Sequence, residues 1–201
     1  MIVIGLTGSI GMGKTTTAAM FRDEGIPVND SDAVVHDLYK TDAVDPVGNA
    51  FPGSIREGVI DRTELARQLS LDPTGFSRLE AIVHPLVRER ERQFLEAQRS
   101  AGADLVLLDI PLLFETGAEK RVDVVVVVTC DPQIQRQRVL ARPSMTEEKF
   151  NLILNRQLPD SQKREHAHFL VDTGVGLSLA KQRVQQIIAL LRSGIRSEKN
   201  A

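Results

Sequence analysis

Short apolar runs alternate with amphipathic segments along this chain, and the alternation predicts a parallel sheet covered by helices. Runs of Val, Ile and Leu with few polar residues are typical of strands that are buried on both faces. The predicted strands lie at 2–6, 25–28 after a turn, 104–109, 122–129 and 169–171. The predicted helices lie at 15–21, 33–39, 61–70, 73–100 with a break near 84–85, 132–142, 146–157 and 177–191, with a loop at 48–58 and a frayed tail at 192–201.

The first apolar run leads directly into a glycine-rich segment. Residues 8–15 read GSIGMGKT and fit the spacing G-x-x-x-x-G-K-[ST] with no mismatch. Such a loop directs several backbone N–H groups at one polyphosphate, which requires close backbone approach and positive φ angles. Lys14 is expected to reach the β and γ phosphates, and Thr15 to offer its hydroxyl to Mg²⁺. The predicted ATP-binding residues of this segment are Gly11, Met12, Gly13, Lys14, Thr15 and Thr16.

Two carboxylates follow the second predicted strand. Asp30 and Asp32 lie where that strand ends, and in open parallel α/β sheets ligands bind at this edge. Asp and Asn also cap helices routinely, so capping is the competing interpretation. Capping accounts most naturally for Asp30, with Ser31 as an alternative cap. Asp32 is therefore the candidate for handling the substrate that receives the phosphate.

Residues 41–103 interrupt the alternation of strands and helices. Asp61 and Glu64 resemble a capping box that opens a short helix, and a longer helix follows. A kinase core needs no such block to close its sheet, so the block is expected to form one wall of a second-substrate pocket. His84 precedes Pro85, which disfavours the helical conformation for His84. From local sequence alone, both a structural and a functional role for His84 stay open.

A carboxylate ends the third long apolar run. Asp109 follows the run at 105–108, and an Asp at this position in phosphate-loop proteins helps to hold Mg²⁺, directly or through water. The alternative is that Asp109 only accepts hydrogen bonds from the neighbouring loop. We favour the metal-side role.

Three polar residues of the segment after Asp131 are spaced for one helical face. Gln135, Arg138 and Arg142 fall at i, i+3 and i+7, and the segment ends at Pro143. Two arginines on such a stripe suggest a lid that brings positive charge to the transferring phosphate when it closes. A solvated basic face is the competing interpretation.

Composition and charge narrow the function classes. The formal net charge is −2, aromatic residues make up 4% and there is no Trp, so neither a basic footprint for nucleic acid nor a base-stacking platform is expected. The chain begins with a core-strand pattern and contains no apolar run long enough to span a bilayer, which indicates a cytoplasmic protein without a membrane partner. The single cysteine, Cys130, ends a valine run and is expected to be a small buried hydrophobe.

Taken together, these motifs resemble those of the dephospho-CoA kinase family over essentially the whole chain. The phosphate loop alone indicates only an NTPase or kinase. Far more specific are His84-Pro85 and the segment 111–115, PLLFE, in this order. The other matching positions are Asp32, Gln135, Arg138, Arg142, Arg156 and Gln157.

The resemblance implies a three-layer α/β/α P-loop kinase of the nucleoside monophosphate kinase type, with a five-stranded parallel sheet. It implies one domain over 1–201, divided into a nucleotide-binding core (1–30, 104–141 and 165–195), a helical CoA-binding insertion (31–103) and a lid (142–164). The implied reaction is MgATP-dependent phosphorylation of the ribose 3′-hydroxyl of dephospho-CoA, the last step of coenzyme A synthesis. A monomer is favoured.

The resemblance also implies roles for individual residues. Lys14, Asp32 and Arg142 are the expected catalytic residues, Arg138 joins the phosphate loop in binding ATP, and Thr15 and Asp109 are the expected metal-side residues. The expected substrate-binding residues are Asp32, His84, Pro85, Leu113, Phe114 and Glu115.

Two other functions share parts of this pattern. Another small-molecule P-loop kinase, acting on a nucleoside monophosphate or shikimate, shares the core but not the His-Pro and PLLFE pair. A GTPase-type switch is disfavoured because the D-x-x-G match at 72–75 follows no strand pattern and no [NT]-K-x-D guanine motif occurs in the chain.

Overall fold

The computed structural model describes residues 1–197, and residues 198–201 of the predicted tail lie outside the described residues. Its strands are β1 (Ile2–Thr7), β2 (Val28–Asp30), β3 (Ile55–Arg56), β4 (Val59–Ile60), β5 (Leu105–Asp109), β6 (Val124–Thr129) and β7 (Phe169–Asp172). Its helices are α1 (Lys14–Asp23), α2 (Ser31–Leu38), α3 (Val44–Ala50), α4 (Arg62–Leu71), α5 (Gly75–Ser100), α6 (Pro132–Leu140), α7 (Glu147–Leu154), α8 (Asp160–His166) and α9 (Leu177–Arg192), with a 3₁₀ turn at Ala118–Arg121.

Five strands form one parallel sheet in the order β2-β5-β1-β6-β7. Every residue of β5 and β6 is buried, as expected for Val- and Leu-rich strands that are covered on both faces. The predicted three-layer α/β/α fold is confirmed. β1 lies in the middle of the sheet and aligns Leu6 with Asp109 of β5 and Thr7 with Val127 of β6, so the segment that follows β1 emerges among the carboxyl ends of its neighbours.

The sheet and two helices share one apolar core. Phe21 on α1 is fully buried with Val184 and Ile187 on α9, together with residues of β1, β5, β6 and β7. Burial of an aromatic or branched aliphatic side chain contributes roughly 1.5–3 kcal/mol. Because α1 starts immediately after the glycine-rich loop, this packing fixes the direction in which the loop meets the helix.

The chain divides into two compact units. One comprises residues 1–29 together with the chain from residue 98 onward, and the other comprises residues 30–97. The second unit has its own apolar core, which includes Leu38, Val47, Phe51, Leu65 and Leu79. Residues 142–164 group with the first unit. Within residues 1–197, no helix combines the length and the apolar character that a membrane crossing needs.

The predicted helix break near His84 is wrong. α5 runs without interruption from Gly75 to Ser100 with Pro85 inside it. Proline lacks a backbone N–H and usually kinks a helix. Here Leu79 and Val83 remain buried on the preceding turns, and their packing compensates for the lost backbone hydrogen bond.

The predicted loop at 48–58 is partly wrong as well. α3 extends through Ala50, and β3 and β4 form a two-stranded hairpin that pairs Ile55 with Ile60. Glu57 and Gly58 connect the strands with φ of 53° and 76°, the left-handed conformation that two-residue hairpin turns require. Each strand has only two residues, too few to give an alternating pattern in the sequence.

Candidate active site

The glycine-rich loop between β1 and α1 has the geometry of a phosphate-binding loop. Gly11 and Gly13 have φ of 80° and 91°, in the left-handed region that favours glycine. A Cβ atom on Gly8 would lie 2.8 Å from the carbonyl oxygen of Val128, so the close approach of two backbones also requires glycine there. Each of the three glycines is therefore dictated by the path of the backbone.

The amino end of α1 follows this loop directly, and its first turn carries no acidic side chain that would compete with a phosphate. Its N-cap is Gly13, no side chain caps the first turn, and the first turn contains no acidic residue. Unsatisfied N–H groups and the helix dipole make such an end attractive to a phosphate. Thr15 and Thr16 are exposed on the first turn, whereas Thr17 is buried and donates its hydroxyl to the Gly13 carbonyl. The Thr15 hydroxyl is thus accessible to a metal ion.

A nearly buried ion pair joins the loop lysine to β5. Lys14 Nζ lies 2.5 Å from Asp109 Oδ1, and the side chains of Lys14 and Asp109 are 14% and 3% exposed. Charge-assisted hydrogen bonds of this length hold both partners in place. The pair brings the ammonium predicted to contact phosphate and the carboxylate predicted to lie on the metal side to one point.

Two glutamines hold the peptide groups on either side of Ile10 in the loop. Gln135 Nε2 donates to the Ile10 carbonyl at 2.7 Å, and the Ile10 N–H donates to Gln157 Oε1 at 3.1 Å. Gln135 is buried and supports the loop. The sequence correctly indicated a role for Gln135, but its predicted place on the arginine-lined face of a lid is wrong. Gln157 was identified only through the family resemblance, without a role.

Thr173 links Arg138 to the phosphate loop. Its hydroxyl donates to the Met12 carbonyl at 2.7 Å and accepts from Arg138 Nη1 at 2.8 Å, while Nη2 donates to the Thr173 carbonyl at 2.9 Å. Thr173 is buried and was missed by sequence reasoning. The available signal was its position directly after β7, at the carboxyl edge of a parallel sheet. This contact places Arg138 beside the loop that we expect to bind ATP.

We predict that Thr173→Val raises the KM for ATP about tenfold, because Val keeps the shape but removes a hydrogen bond to a charged group. kcat should change less, since Arg138 itself remains. Thr173→Ser is the matched control, because it keeps the hydroxyl and should keep the KM. Steady-state kinetics with varied ATP test this. Equal KM values for the Val variant and the wild type would remove Thr173 from the nucleotide site.

Arg142 does not continue the predicted stripe of α6. The helix ends at Leu140, and Arg142 lies in the following turn with an exposed side chain. Pro143 explains the difference, because a residue before proline is disfavoured in the helical conformation, and Ser144 then takes a left-handed φ of 60°. The single helical face carrying Gln135, Arg138 and Arg142 is therefore wrong, although an exposed Arg142 remains compatible with a lid.

The acidic residues after β2 take different positions. Asp30 is the N-cap of α2 and accepts from the N–H groups of Asp32 and Ala33 at 2.9 and 3.1 Å. The assignment of capping to Asp30 is confirmed. Asp32 lies in the first turn of α2 with an exposed side chain, so capping does not occupy its carboxylate. In the same unit, His84 is half-buried and Pro85 exposed, both inside α5.

The PLLFE segment, residues 111–115, makes several contacts within the first unit. The Thr7 hydroxyl donates to the Pro111 carbonyl at 3.0 Å, and Leu113 is fully buried. The Phe114 ring lies 5.8 Å from the ring of His166. Glu115 accepts a backbone hydrogen bond and pairs with a lysine, as described below. The predicted substrate contacts of Leu113, Phe114 and Glu115 stay predictions.

Cys130 is buried at the end of β6, with its Sγ 3.4 Å from Met12 Sδ. Burial raises the pKa of the Cys130 thiol, which disfavours the reactive thiolate. The prediction that Cys130 is a small buried hydrophobe is confirmed.

A parallel five-stranded sheet with a phosphate loop after its central strand, and a Lys-Asp pair between that loop and the next strand of the sheet, defines a P-loop kinase. The family model described as dephospho-CoA kinase matches residues 2–178. The chain belongs to the dephospho-CoA kinase family, whose members are phosphotransferases that use ATP.

Individual relatives agree with this assignment. A dephospho-CoA kinase from Rhizobium etli is 62% identical over 195 residues, which cover 97% of this chain and 96% of the relative. A crystal structure of a Thermus thermophilus protein is similar with a TM-score of 0.82 and 34% identity, covering 94% of this chain and 97% of the other. A dephospho-CoA kinase structure from Campylobacter jejuni has a TM-score of 0.73 and covers 96% and 98% of the two chains; at 20% identity it supports the fold alone.

Proposed function

We propose that this protein transfers the γ-phosphoryl group of MgATP to the ribose 3′-hydroxyl of dephospho-CoA, giving CoA and ADP, the final step of coenzyme A synthesis. One observation carries the proposal. A complete phosphate loop with its Lys14–Asp109 pair occurs in a chain that matches the dephospho-CoA kinase model over residues 2–178. For such a metabolic enzyme we also propose a cytoplasmic location and a monomeric state.

The nucleotide side of the site consists of the loop and its neighbours. We assign ATP binding to Gly11, Met12, Gly13, Lys14, Thr15, Thr16 and Arg138. Phosphoryl transfer needs little covalent chemistry from the protein and depends on positioning and charge stabilisation. The backbone N–H groups of the loop and the α1 amino end hold the phosphates, and the Lys14 ammonium exchanges its contact with Asp109 for the β and γ oxygens.

Thr15 and Asp109 fit a magnesium ion that arrives with ATP. Mg²⁺ in such sites is held by one or two protein oxygens, several waters and the phosphates, so a cage of protein ligands is not required. Accordingly, residues 1–197 contain no cluster of three or more His, Cys, Asp or Glu side chains suited to a metal, while the Thr15 hydroxyl is exposed and the Asp109 carboxylate lies beside Lys14. When bound, the ion neutralises charge on the phosphates.

The residues proposed for the acceptor substrate come from two segments, the insertion at 31–103 and the PLLFE segment at 111–115. Asp32 is proposed to orient the 3′-hydroxyl and to receive its proton as the new P–O bond forms. His84, Pro85, Leu113 and Phe114 are proposed as CoA-side residues on the strength of the family motifs alone, whereas the contacts of Glu115 with Lys163 and Leu158 support a positioning role. We retain the insertion at 31–103 and the lid at 142–164 as proposed functional segments.

The proposed reaction is tested by following ADP formation by the purified protein with MgATP and a panel of acceptors. The panel contains dephospho-CoA, adenosine, AMP and shikimate, so it separates the proposed activity from those of other small P-loop kinases. We expect turnover only with dephospho-CoA. Faster turnover with AMP or shikimate would replace the proposed acceptor.

For the lid, we predict that Arg142→Ala lowers kcat at least about tenfold while ATP binding without the second substrate changes less, because its charge should reach the phosphates only on closure. Arg138→Ala should weaken ground-state ATP binding more. Arg22→Ala is the matched control, because Arg22 is exposed in the last turn of α1, at the end of that helix opposite the phosphate loop. Titration calorimetry and kcat measurements check this. A higher KM for ATP with unchanged kcat would make Arg142 a uniform binding contact.

A further inference from the structure

A completely buried lysine pairs with the glutamate of the PLLFE segment. The Lys163 side chain on α8 is 0% exposed, and its Nζ lies 2.9 Å from Oε1 of Glu115, whose side chain is 16% exposed. The distance is that of an ion pair, but Nζ has no partner in hydrogen-bond geometry among the described residues. Charge attraction to Glu115 therefore holds Lys163. Lysine is almost never fully buried unless its charge is paired.

The same oxygen of Glu115 also accepts a backbone hydrogen bond from the segment that precedes Lys163. The N–H of Leu158 donates to Glu115 Oε1 at 2.7 Å. One residue earlier, Gln157 accepts the N–H of Ile10 in the phosphate loop. Residues 157–163, here called the return segment, are thus attached to the phosphate loop at one end and to Glu115 at two positions. The return segment is where the proposed lid rejoins the core.

These contacts give Glu115 a role that differs from direct contact with CoA. A buried ammonium without a carboxylate beside it is costly, so the return segment is stable in this position only while the Glu115 side chain lies next to Lys163. Leu158 is held through its backbone N–H, and its neighbour Gln157 accepts the N–H of Ile10, so the two contacts act on adjacent residues. The PLLFE segment is therefore linked to the phosphate loop through the return segment, by the contacts of Glu115 at one side and of Gln157 at the other.

We propose that Glu115 is a positioning residue: through Lys163 and Leu158 it fixes the return segment against the phosphate loop, which confines lid motion to the residues before Gln157. The inference deepens the proposed function and rests on it for its kinetic consequence. Its structural content, the anchoring of the return segment, does not depend on which acceptor the enzyme uses.

The kinetic test compares Glu115→Gln, Lys163→Met and the double variant. Gln keeps the size and an acceptor for the Leu158 N–H but leaves the Lys163 ammonium unpaired, so kcat should fall at least about tenfold. The KM for dephospho-CoA should stay within about twofold, because Glu115 does not touch it in this proposal. The double variant removes the buried charge and should recover most of the loss. Lys181→Met, at an exposed position of α9, is the matched control.

Two outcomes would overturn the proposal. A raised KM for dephospho-CoA that Lys163→Met fails to rescue would make Glu115 a direct CoA contact. Lower thermal stability of Glu115→Gln with unchanged kcat would make the pair merely structural. If the single variant does not fold, the double variant and Lys163→Met still give the comparison, because neither leaves an unpaired buried ammonium.

A measurement without substrates separates this inference from the proposed function. Amide hydrogen exchange of the return segment should accelerate in Glu115→Gln and recover in the double variant, while exchange of α1 stays unchanged. Unchanged exchange in the return segment would refute the anchor even if the enzyme phosphorylates dephospho-CoA. Accelerated exchange in a protein that proves inactive on dephospho-CoA would refute the proposed function and leave the anchor standing.

Discussion

Replacing Lys14 or Thr15 with alanine is expected to lower kcat by more than about 10²-fold, the usual effect of removing a preorganised group that stabilises developing charge. Lys14 is the only side-chain cation in the loop segment 8–15, and Thr15 is its exposed hydroxyl. Because the protein contributes position and charge to phosphoryl transfer, loss of either group acts directly on the transition state. The measurement is kcat at saturating MgATP with dephospho-CoA.

The structure provides a stability control for these two variants. Thr15→Ala removes an exposed hydroxyl and should leave thermal unfolding unchanged. Lys14→Ala removes the ammonium that lies 2.5 Å from the buried carboxylate of Asp109. The double variant Lys14→Ala/Asp109→Asn is therefore included, because it replaces that carboxylate with a neutral amide. All three should remain folded and nearly inactive. Near-normal kcat in any single variant of Lys14 or Thr15 would exclude the loop from the reaction.

The parts of the fold that the sequence predicted well are those that local rules determine. The loop spacing dictates left-handed glycines at 11 and 13, and both occur. Uninterrupted valine in β6 requires burial on both faces, and the strand has it. The cap at Asp61 is likewise local: its side chain accepts from the N–H groups of Thr63 and Glu64. In each case, the physical cause lies within a few residues of the effect.

The missed features join residues that are far apart in the chain. Thr173 donates to Met12 across 161 positions, and Gln135 reaches Ile10 across 125. Lys163 gave no signal because a lysine on a short polar helix is normally exposed. Two of the wrong helix predictions concern proline. Pro85 was expected to break α5 but is tolerated there, whereas α6 ends at Leu140, two residues before Arg142, which is followed by Pro143. Tertiary packing decides such cases.

The second large effect is expected at Asp32. A sugar hydroxyl has a very high pKa, so the reaction gains from a carboxylate that holds it in line with the γ-phosphorus and receives its proton. Asn at this position keeps the size and one acceptor oxygen but cannot take the proton. Asp32→Asn should therefore lower the single-turnover rate about 10²-fold or more, within the range for a general base. The KM for dephospho-CoA should move much less, because the CoA contacts are assigned to other residues, those at 84–85 and in the segment 111–115.

Asp30→Asn is the neighbouring control, and the structure defines what it changes. Asp30 caps α2 by accepting the N–H groups of Asp32 and Ala33, and asparagine caps a helix about as well, so this variant should keep both fold and rate. Asp32 only donates its backbone N–H in that cap, so its carboxylate is available to the acceptor hydroxyl. In a dissociative transition state the carboxylate orients the hydroxyl more than it deprotonates it, and the loss in rate then lies at the lower end of that range, about 10²-fold. Equal small losses in both variants would mean that these acids serve only the helix and that the proton leaves by another route.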